Sequence, residues 1–225
     1  KAGVWNIGAE GQLIIGGMCG GAVALFFYEK TGFYIIPLIL AAGILGGMLW
    51  ATIVAFLRTQ FNANEILTSL MLSYVAGLFL NLMVHGPLKD PEGYNFPESR
   101  LFSESALLPT LFEGTRLHIG FLIALVVVAV GWVLISKTLL GYQIKVMGDA
   151  PAAGEHAGFS RSKIIWITLV LSGGVAGLAG VIEVSGPIGQ LLPTISPGYG
   201  FTAIIVAYVG RLHPIGVLFA AILLA

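Results

Sequence analysis

The sequence predicts an all-α protein: a polytopic transmembrane helical bundle with a short helix at one face and one broken, re-entrant segment. Three observations predict it. Of the 225 residues, 57% are hydrophobic and 10% charged, whereas a soluble domain carries about 25% charged residues. The apolar residues gather into runs of the length a membrane demands. Between two of the runs lies a compact charged loop with helix-capping residues, and after the last long run comes a stretch crowded with Gly and Pro.

A spanning helix needs about 20 mostly apolar residues. Runs near 9–28, 33–57, 65–85, 118–136 and 164–184 meet that requirement. Gly16 and Gly20, Gly17 and Gly21, Gly43 and Gly47, and Gly173 and Gly177 are each four apart. Small residues at that spacing let helix backbones approach closely, which predicts tight bundle packing. Asn64 before Glu65 is a good N-cap for the third run, and an acid in the first turn suits the helix dipole.

The loop 86–117 is net acidic and carries Tyr94, Phe96 and Phe102. Two readings stand for it: a landing surface, or a solvated cap on the bundle. The loop 137–163 carries Lys137, Lys145, Arg161 and Lys163 against Asp149 and Glu155. Its density of basic residues places it on the cytoplasmic side, and 86–117 on the opposite side. Within it, "GDAPAAGEHAGFSRSK" (148–163) reads as a helix of about two turns. Asp149 is the expected N-cap and Pro151 fits the first turn. His156 suits the last turn, and Gly158 the left-handed stop. So short a helix is marginal alone and needs a surface to rest on.

The stretch 185–200, "SGPIGQLLPTISPGYG", breaks the pattern. The apolar piece 201–210 that follows is too short to cross at about 1.5 Å per residue. It is either a half-helix held inside protein, where irregular backbone is tolerated, or part of one tilted span from 199 to 212.

Polar residues within apolar runs need partners. Asn6 and Glu10, spaced to share a helical face, form a polar cluster with Gln12. Asn81 lies late in the third run, where it faces a cavity or bonds a neighbouring helix, and Tyr74 and Tyr199 add polar tips in or beside the apolar runs. These six are candidates for a pathway or for helix packing. The sequence holds no P-loop, no nucleophile elbow and no H-E-x-x-H, so no catalytic residue and no metal site is assigned. Zero net charge argues against a nucleic-acid partner. The single Cys19 forms no internal disulfide and reads as packing. The chain opens on Lys1 and stops in an apolar run at Ala225, which reads as a piece of a longer protein.

Four motifs occur in order: "NIGAEGQ" (6–12), "NEILTSLMLSYVAG" (64–77), "GDAPAAGEHAGFS" (148–160) and "SPGYGFTAIIVAYVGRLHPIG" (196–216). Together they resemble the permease subunits of bacterial ABC importers, in the branched-chain amino acid and simple-sugar permease family. The first and last look most like its nucleoside group. The resemblance covers the whole chain, 1–225, as one permease domain. It implies that 137–163 is a coupling loop docking on an ATPase subunit, through Gly148, Asp149, Ala152, Ala153 and Gly158. It further implies ATP used by that partner, with no cofactor bound by this chain. The implied partners are a second, related permease and an extracytoplasmic binding lipoprotein, and the implied setting is the lipid of a bacterial inner membrane. The solute implied is a nucleoside or related simple sugar. Branched-chain amino acids in the same family, and an ion-coupled secondary transporter or a channel outside it, stand as alternatives.

Overall fold

The computed structural model describes residues 2–93, 95–112, 114–115 and 117–224. Tyr94, Glu113 and Arg116, counted above among the aromatic and charged residues of the loop 86–117, lie outside the described residues. Nine α-helices form among the described residues, with a short π-helical turn and one 3-10 turn. They are α1 Ala9–Phe26, α2 Ile35–Phe61, α3 Glu65–His85, α4 Gly120–Lys137, α5 Leu139–Asp149, α6 Pro151–His156, α7 Arg161–Glu183, α8 Tyr199–Val209 and α9 Pro214–Leu224. Helices α1, α2, α3, α4 and α7 are long and apolar enough to cross a membrane. Their ends fall within a few residues of the predicted runs.

The centre of the bundle is a three-helix crossing of α1, α2 and α7, closed by glycine. Gly16 lies against Gly177, Gly47 against both Gly173 and Gly177, and Gly180 against the carbonyl of Leu13. A Cβ on Gly177 would overlap the Gly43 carbonyl oxygen, so only glycine allows the backbones to touch. The large apolar side chains of the core flank this seam: Ile35, Ile39, Leu80, Val181, Val184 and Leu191 are fully buried. α3 packs parallel to α1, with Gly8 on Ser69 and Gly11 on Ser73.

The helix ends show why these segments start and stop. The Asn64 side chain accepts from the Ile66 amide at 2.9 Å, as its sequence position predicts. Glu65 then pairs with Arg58 at 3.1 Å, closing the α2–α3 turn. Ser160 caps α7 through the Lys163 amide. Two expectations fail here. Asn6 and Glu10 do not share a helical face, because α1 begins at Ala9 with Gly8 as its N-cap and Asn6 lies in the irregular segment before it. Asp149 is not an N-cap. A further helix, α5, capped by Thr138 through the Gly141 amide at 3.1 Å, runs on to Asp149 and makes it the last helical residue. The cap of α6 is Ala150, which offers no side-chain bond.

The predicted break takes a definite form. α7 ends in a π-turn, Val184–Ile188, around Pro187, and Gly189 stops it at φ 76°. The chain then runs without regular structure beside the loop 86–117. Phe102 N donates to Gly189 O at 2.8 Å, Ser99 N to Leu191 O at 3.0 Å, and Leu191 N to the Ser99 hydroxyl at 2.8 Å. Phe102, Ala106 and Leu108 are buried against the bundle. That loop therefore covers the break, and Phe102 is core, not landing surface; Phe96 is exposed. Beyond Ser196 the chain becomes α8, an eleven-residue helix, about 16 Å long. It starts with Gly200 against Glu10 and ends with Tyr208 stacked on Trp5, ring centroids 5.7 Å apart. Trp5 precedes Glu10, and Gly3 sits on Gly148 of α5, so α8 runs toward the face that bears α5 and α6. The stretch 189–209 is thus broken, irregular in one half and helical in the other. α8 itself stops at Val209, three residues before the end expected of a tilted span. Gly210 packs on Val217, and Arg211 and Leu212, both at φ 55°, reverse the chain into α9.

Candidate functional site

The polar residues of the first motif serve two separate places. On one side of α1, Asn6 Nδ2 donates to Gln12 Oε1 at 2.8 Å and to the Ser172 hydroxyl at 2.9 Å. Gln12 Nε2 donates back to Asn6 Oδ1 at 3.2 Å. Gln12 is fully buried, and this reciprocal pair is what lets an amide sit there. The network ties the segment before α1 to the middle of α7.

On the other side, two helix N-termini meet. The first-turn amides of a helix have no partner within it. At α1 the Ser73 hydroxyl accepts from Gly11 N at 3.2 Å. At α8 the Ser196 hydroxyl accepts from Tyr199 N at 3.0 Å, and the Glu10 carboxyl accepts from Gly200 N at 2.6 Å. Glu10 is therefore in the first turn of its own helix and beside the first turn of another, where a negative group is favoured twice. Gly200 must be glycine, since its Cβ would overlap the backbone of Glu10.

Beside this junction opens a groove of about 390 Å³ between α1, α3 and α8, lined by Glu10, Ser73, Tyr74, Gly77, Asn81 and Phe201 among others. Of the predicted residues, Glu10, Tyr74 and Asn81 come together here. Asn6 and Gln12 do not; they belong to the network behind α1. Tyr199 does not line the groove either, because α8 turns Phe201 toward it. Ser73 and Phe201 were missed. Ser73 carries a signal in its position eight residues after Glu65, on the α3 face that meets α1, but sequence alone cannot pair it with Gly11.

At the face with the basic loop, α5 and α6 form a folded arm between α4 and α7. Ile144 and Met147 of α5 and Ile164 of α7 make a small core of their own, joined by Leu134, Leu140 and Phe159. Tyr142 and Phe159 meet edge to face. α6 rests on this base through Gly154, the buried residue of the helix, which lies against Met147. Asp149, Ala152, Ala153, Ala157 and Gly158 are exposed, and Gly148 is half-buried. Gly158 adopts φ +84°. Its amide bonds to Glu155 O and that of Phe159 to Gly154 O, both at 3.0 Å, which closes the helix as predicted. The result is a short polar-capped ledge of small residues, fixed to two spans at once. The described residues contain no group of three His, Cys, Asp or Glu able to hold a metal.

The chain is similar along its whole length to known transport proteins. It is 37% identical over its full length to a glucose ABC transporter permease protein of Haloferax volcanii, covering 61% of that protein. It is 31% identical to a nucleoside ABC transporter permease protein of Lactococcus lactis (99% of this chain, 64% of the relative). It is also 31% identical to a guanosine ABC transporter permease protein of Bacillus subtilis (100% and 65%). The chain thus spans somewhat under two thirds of the length of these curated relatives. No solved structure matches it. The family model described as the branched-chain amino acid transport system permease component matches residues 1–225, and the chain, a multi-pass membrane protein, belongs to that family.

Proposed function

We propose that the chain forms the membrane-spanning half of an ATP-driven importer for a nucleoside or a related simple sugar. The observation that carries this is the α5–α6 ledge: a rigid, exposed platform of small residues anchored to α4 and α7, in a chain whose relatives are ABC permeases for glucose, nucleosides and guanosine. A docked ATPase subunit pushing on Asp149, Ala152, Ala153 and Gly158 moves both spans through the Ile144–Met147–Ile164 core. In this reading the ledge faces the cytoplasm, as the basic residues of 137–163 favour, across a bacterial inner membrane.

The broken stretch then supplies the gate. Half-helix ends and unwound backbone present polar groups without a buried ion pair. ATP binding and hydrolysis by the partner alternate the bundle between states open to either side, and the solute biases only the states that it binds differently. This chain binds no cofactor and hydrolyses no ATP itself. Its partners are the ATPase subunits, a second and related permease as a heterodimer, and an extracytoplasmic binding lipoprotein that lands on the face covered by 86–117, with exposed Phe96 in the contact. The test is uptake of labelled nucleoside and glucose by cells carrying the full-length gene with its operon, against a strain lacking this permease. Restored uptake that a P-loop substitution in the partner ATPase abolishes is the expected result. Uptake that ignores that substitution and collapses with a protonophore would sink the importer reading. Competition by leucine alone would move the solute to branched-chain amino acids.

A further inference from the structure

The groove beside Glu10 has the wrong chemistry for packing alone. Glu10 is only 6% exposed, and one carboxyl oxygen is occupied by Gly200 N. Among the described residues the other oxygen has no hydrogen-bond donor, and no Lys, Arg or His lies within salt-bridge distance of the carboxyl. The Tyr74 hydroxyl and the Asn81 side-chain amide, which line the same groove, also make no hydrogen bond among the described residues. Glu10, Tyr74 and Asn81, each with an unspent polar group, are thus lining residues of one groove whose walls are mostly apolar, Ile14, Leu78 and the Phe201 ring among them. An acyl chain or a neighbouring apolar helix filling the groove would leave a buried carboxyl half-satisfied, which is costly. A cation is disfavoured because the N-termini of α1 and α8 both point positive potential at the site. A neutral ligand with hydroxyl donors satisfies every group: O–H donors for the carboxyl, mixed donors and acceptors for the amide and phenol, and a ring face for the apolar walls.

We propose that this groove is a solute site in which the Glu10 carboxyl accepts hydrogen bonds from a vicinal pair of ring hydroxyls. The ligand is a neutral polyhydroxylated ring, from either of two sources: a free hexose or the ribose of a nucleoside. Asn81 and Tyr74 bind the far side of the ring, and Phe201 packs on its face. The proposal rests on the importer reading and assigns its recognition chemistry to this chain.

The experiment uses the full-length permease assembled with its partner subunits in membrane vesicles, on a Cys19→Ser background carrying Gly77→Cys. Gly77 lines the groove, and a Cβ there meets no heavy atom within 4 Å, so the new thiol is tolerated and reports on occupancy. Glucose, a ribonucleoside, its 2′-deoxy analogue and leucine are each tested for slowing the reaction of that thiol with a small water-soluble reagent. A vicinal diol is expected to protect. Loss of one hydroxyl in the 2′-deoxy analogue raises the protecting concentration about tenfold, the worth of one hydrogen bond. Glu10→Gln keeps an oxygen for Gly200 N but replaces the open oxygen by a donor, and abolishes diol protection. Glu10→Asp keeps the carboxyl on a shorter stem and retains part of it. Protection by glucose alone assigns the free sugar, and by the ribonucleoside alone the nucleoside. Equal protection by the ribonucleoside and its deoxy analogue, protection unchanged by Glu10→Gln, or protection by leucine alone would overturn the proposal. Wild-type uptake of sugar or nucleoside with no protection at Gly77→Cys rejects this site and leaves the importer reading standing. Absence of any such uptake rejects that reading itself.

Discussion

The two sides of this bundle are built by opposite rules. The α1–α2–α7 crossing is held by backbone touching backbone through glycines, with no room for an added carbon. The α4–α8–α9 side is loose. Only 6% of the α4 span is buried within the chain, and Gly131 on it has nothing within 4 Å of an added Cβ. A cavity of about 490 Å³ separates α4 from α7 and the α8–α9 turn. Close-packed interiors transmit strain and resist deformation. The glycine seam is the frame, and the loose side is the one with room left beside its helices. The α5–α6 ledge joins the two, because its core takes residues from α4 and α7 alike.

The sharpest way to break the comparison is to put the same kind of change on both sides. Gly177→Leu forces α2 and α7 apart at the Gly43 carbonyl and is expected to cost about 3 kcal/mol or more, enough to abolish folded protein in the membrane. Gly131→Leu adds the same side chain into open space and should leave thermal stability unchanged or slightly raised. Size-exclusion profile and thermal unfolding of the solubilised full-length protein read both. Equal tolerance of the two substitutions would show that the seam is not the frame.

The ledge gives the next largest effect. Gly158→Val places a β-branched residue at φ +84°, a conformation that costs about 1–3 kcal/mol. There is space for the side chain, so the strain falls on the end of α6 and not on the bundle. Membrane insertion is expected to stay normal, with uptake lost while the partner's ATPase activity persists. Normal uptake by this variant would remove α6 from the coupling role.

These contrasts mark what was legible in the sequence. The five spans were, because length and hydropathy alone decide whether a segment can cross a membrane. The glycine pairs announced close packing, though not that five of those glycines, Gly16, Gly43, Gly47, Gly173 and Gly177, meet at one crossing. The string from Ser185 to Gly200 announced a break, but its irregular half is held by bonds to Ser99 and Phe102, far earlier in the chain. Helix α5 was missed inside a loop, although Thr138 followed by Leu140, Ile144 and Met147 has the cap and the spacing of an amphipathic helix. Assigning Asp149 as a cap followed from that omission. Asn6 and Glu10 have helical spacing, yet helix geometry ends at Gly8, and the two side chains go to different partners. Spacing predicts a shared face only where a helix is present.

The network that joins the frame to the segment before α1 offers a smaller effect. Asn6→Ala leaves the Gln12 amide buried with neither of its bonds to Asn6, which is expected to cost about 1–3 kcal/mol. Because Asn6 also holds Ser172, the variant should free that segment as well as lower thermal stability. Limited proteolysis at 2–8 alongside thermal unfolding measures this. A loss of stability with unchanged proteolysis would confine the network to packing within the frame.

The smallest expected effect is a pH dependence at the cover over the break. His118 lies just outside α4, with its ring against Gly186 of the π-turn and Nδ1 accepting from Gly120 N at 3.1 Å. Burial pushes its pKa below the ordinary histidine value of 6.5. The folded state thus binds the proton less readily than the unfolded one, so the contact contributes fully above that value and weakens as pH falls beneath it. Protonation at Nδ1 also removes the acceptor for Gly120 N, which acts in the same direction. Acidification should therefore loosen the loop 86–117 from the π-turn and leave the glycine frame untouched. The ring is partly open to solvent, so the change is one of local opening, not of global unfolding. Hydrogen exchange at Gly120 and at Leu108, whose amide bonds Ser185 O, reads it directly. Faster exchange there in mild acid, abolished in His118→Gln, is the expected outcome. Exchange that quickens equally along α1 and α7 would mean that the cover and the frame open together, and the division between them would fall.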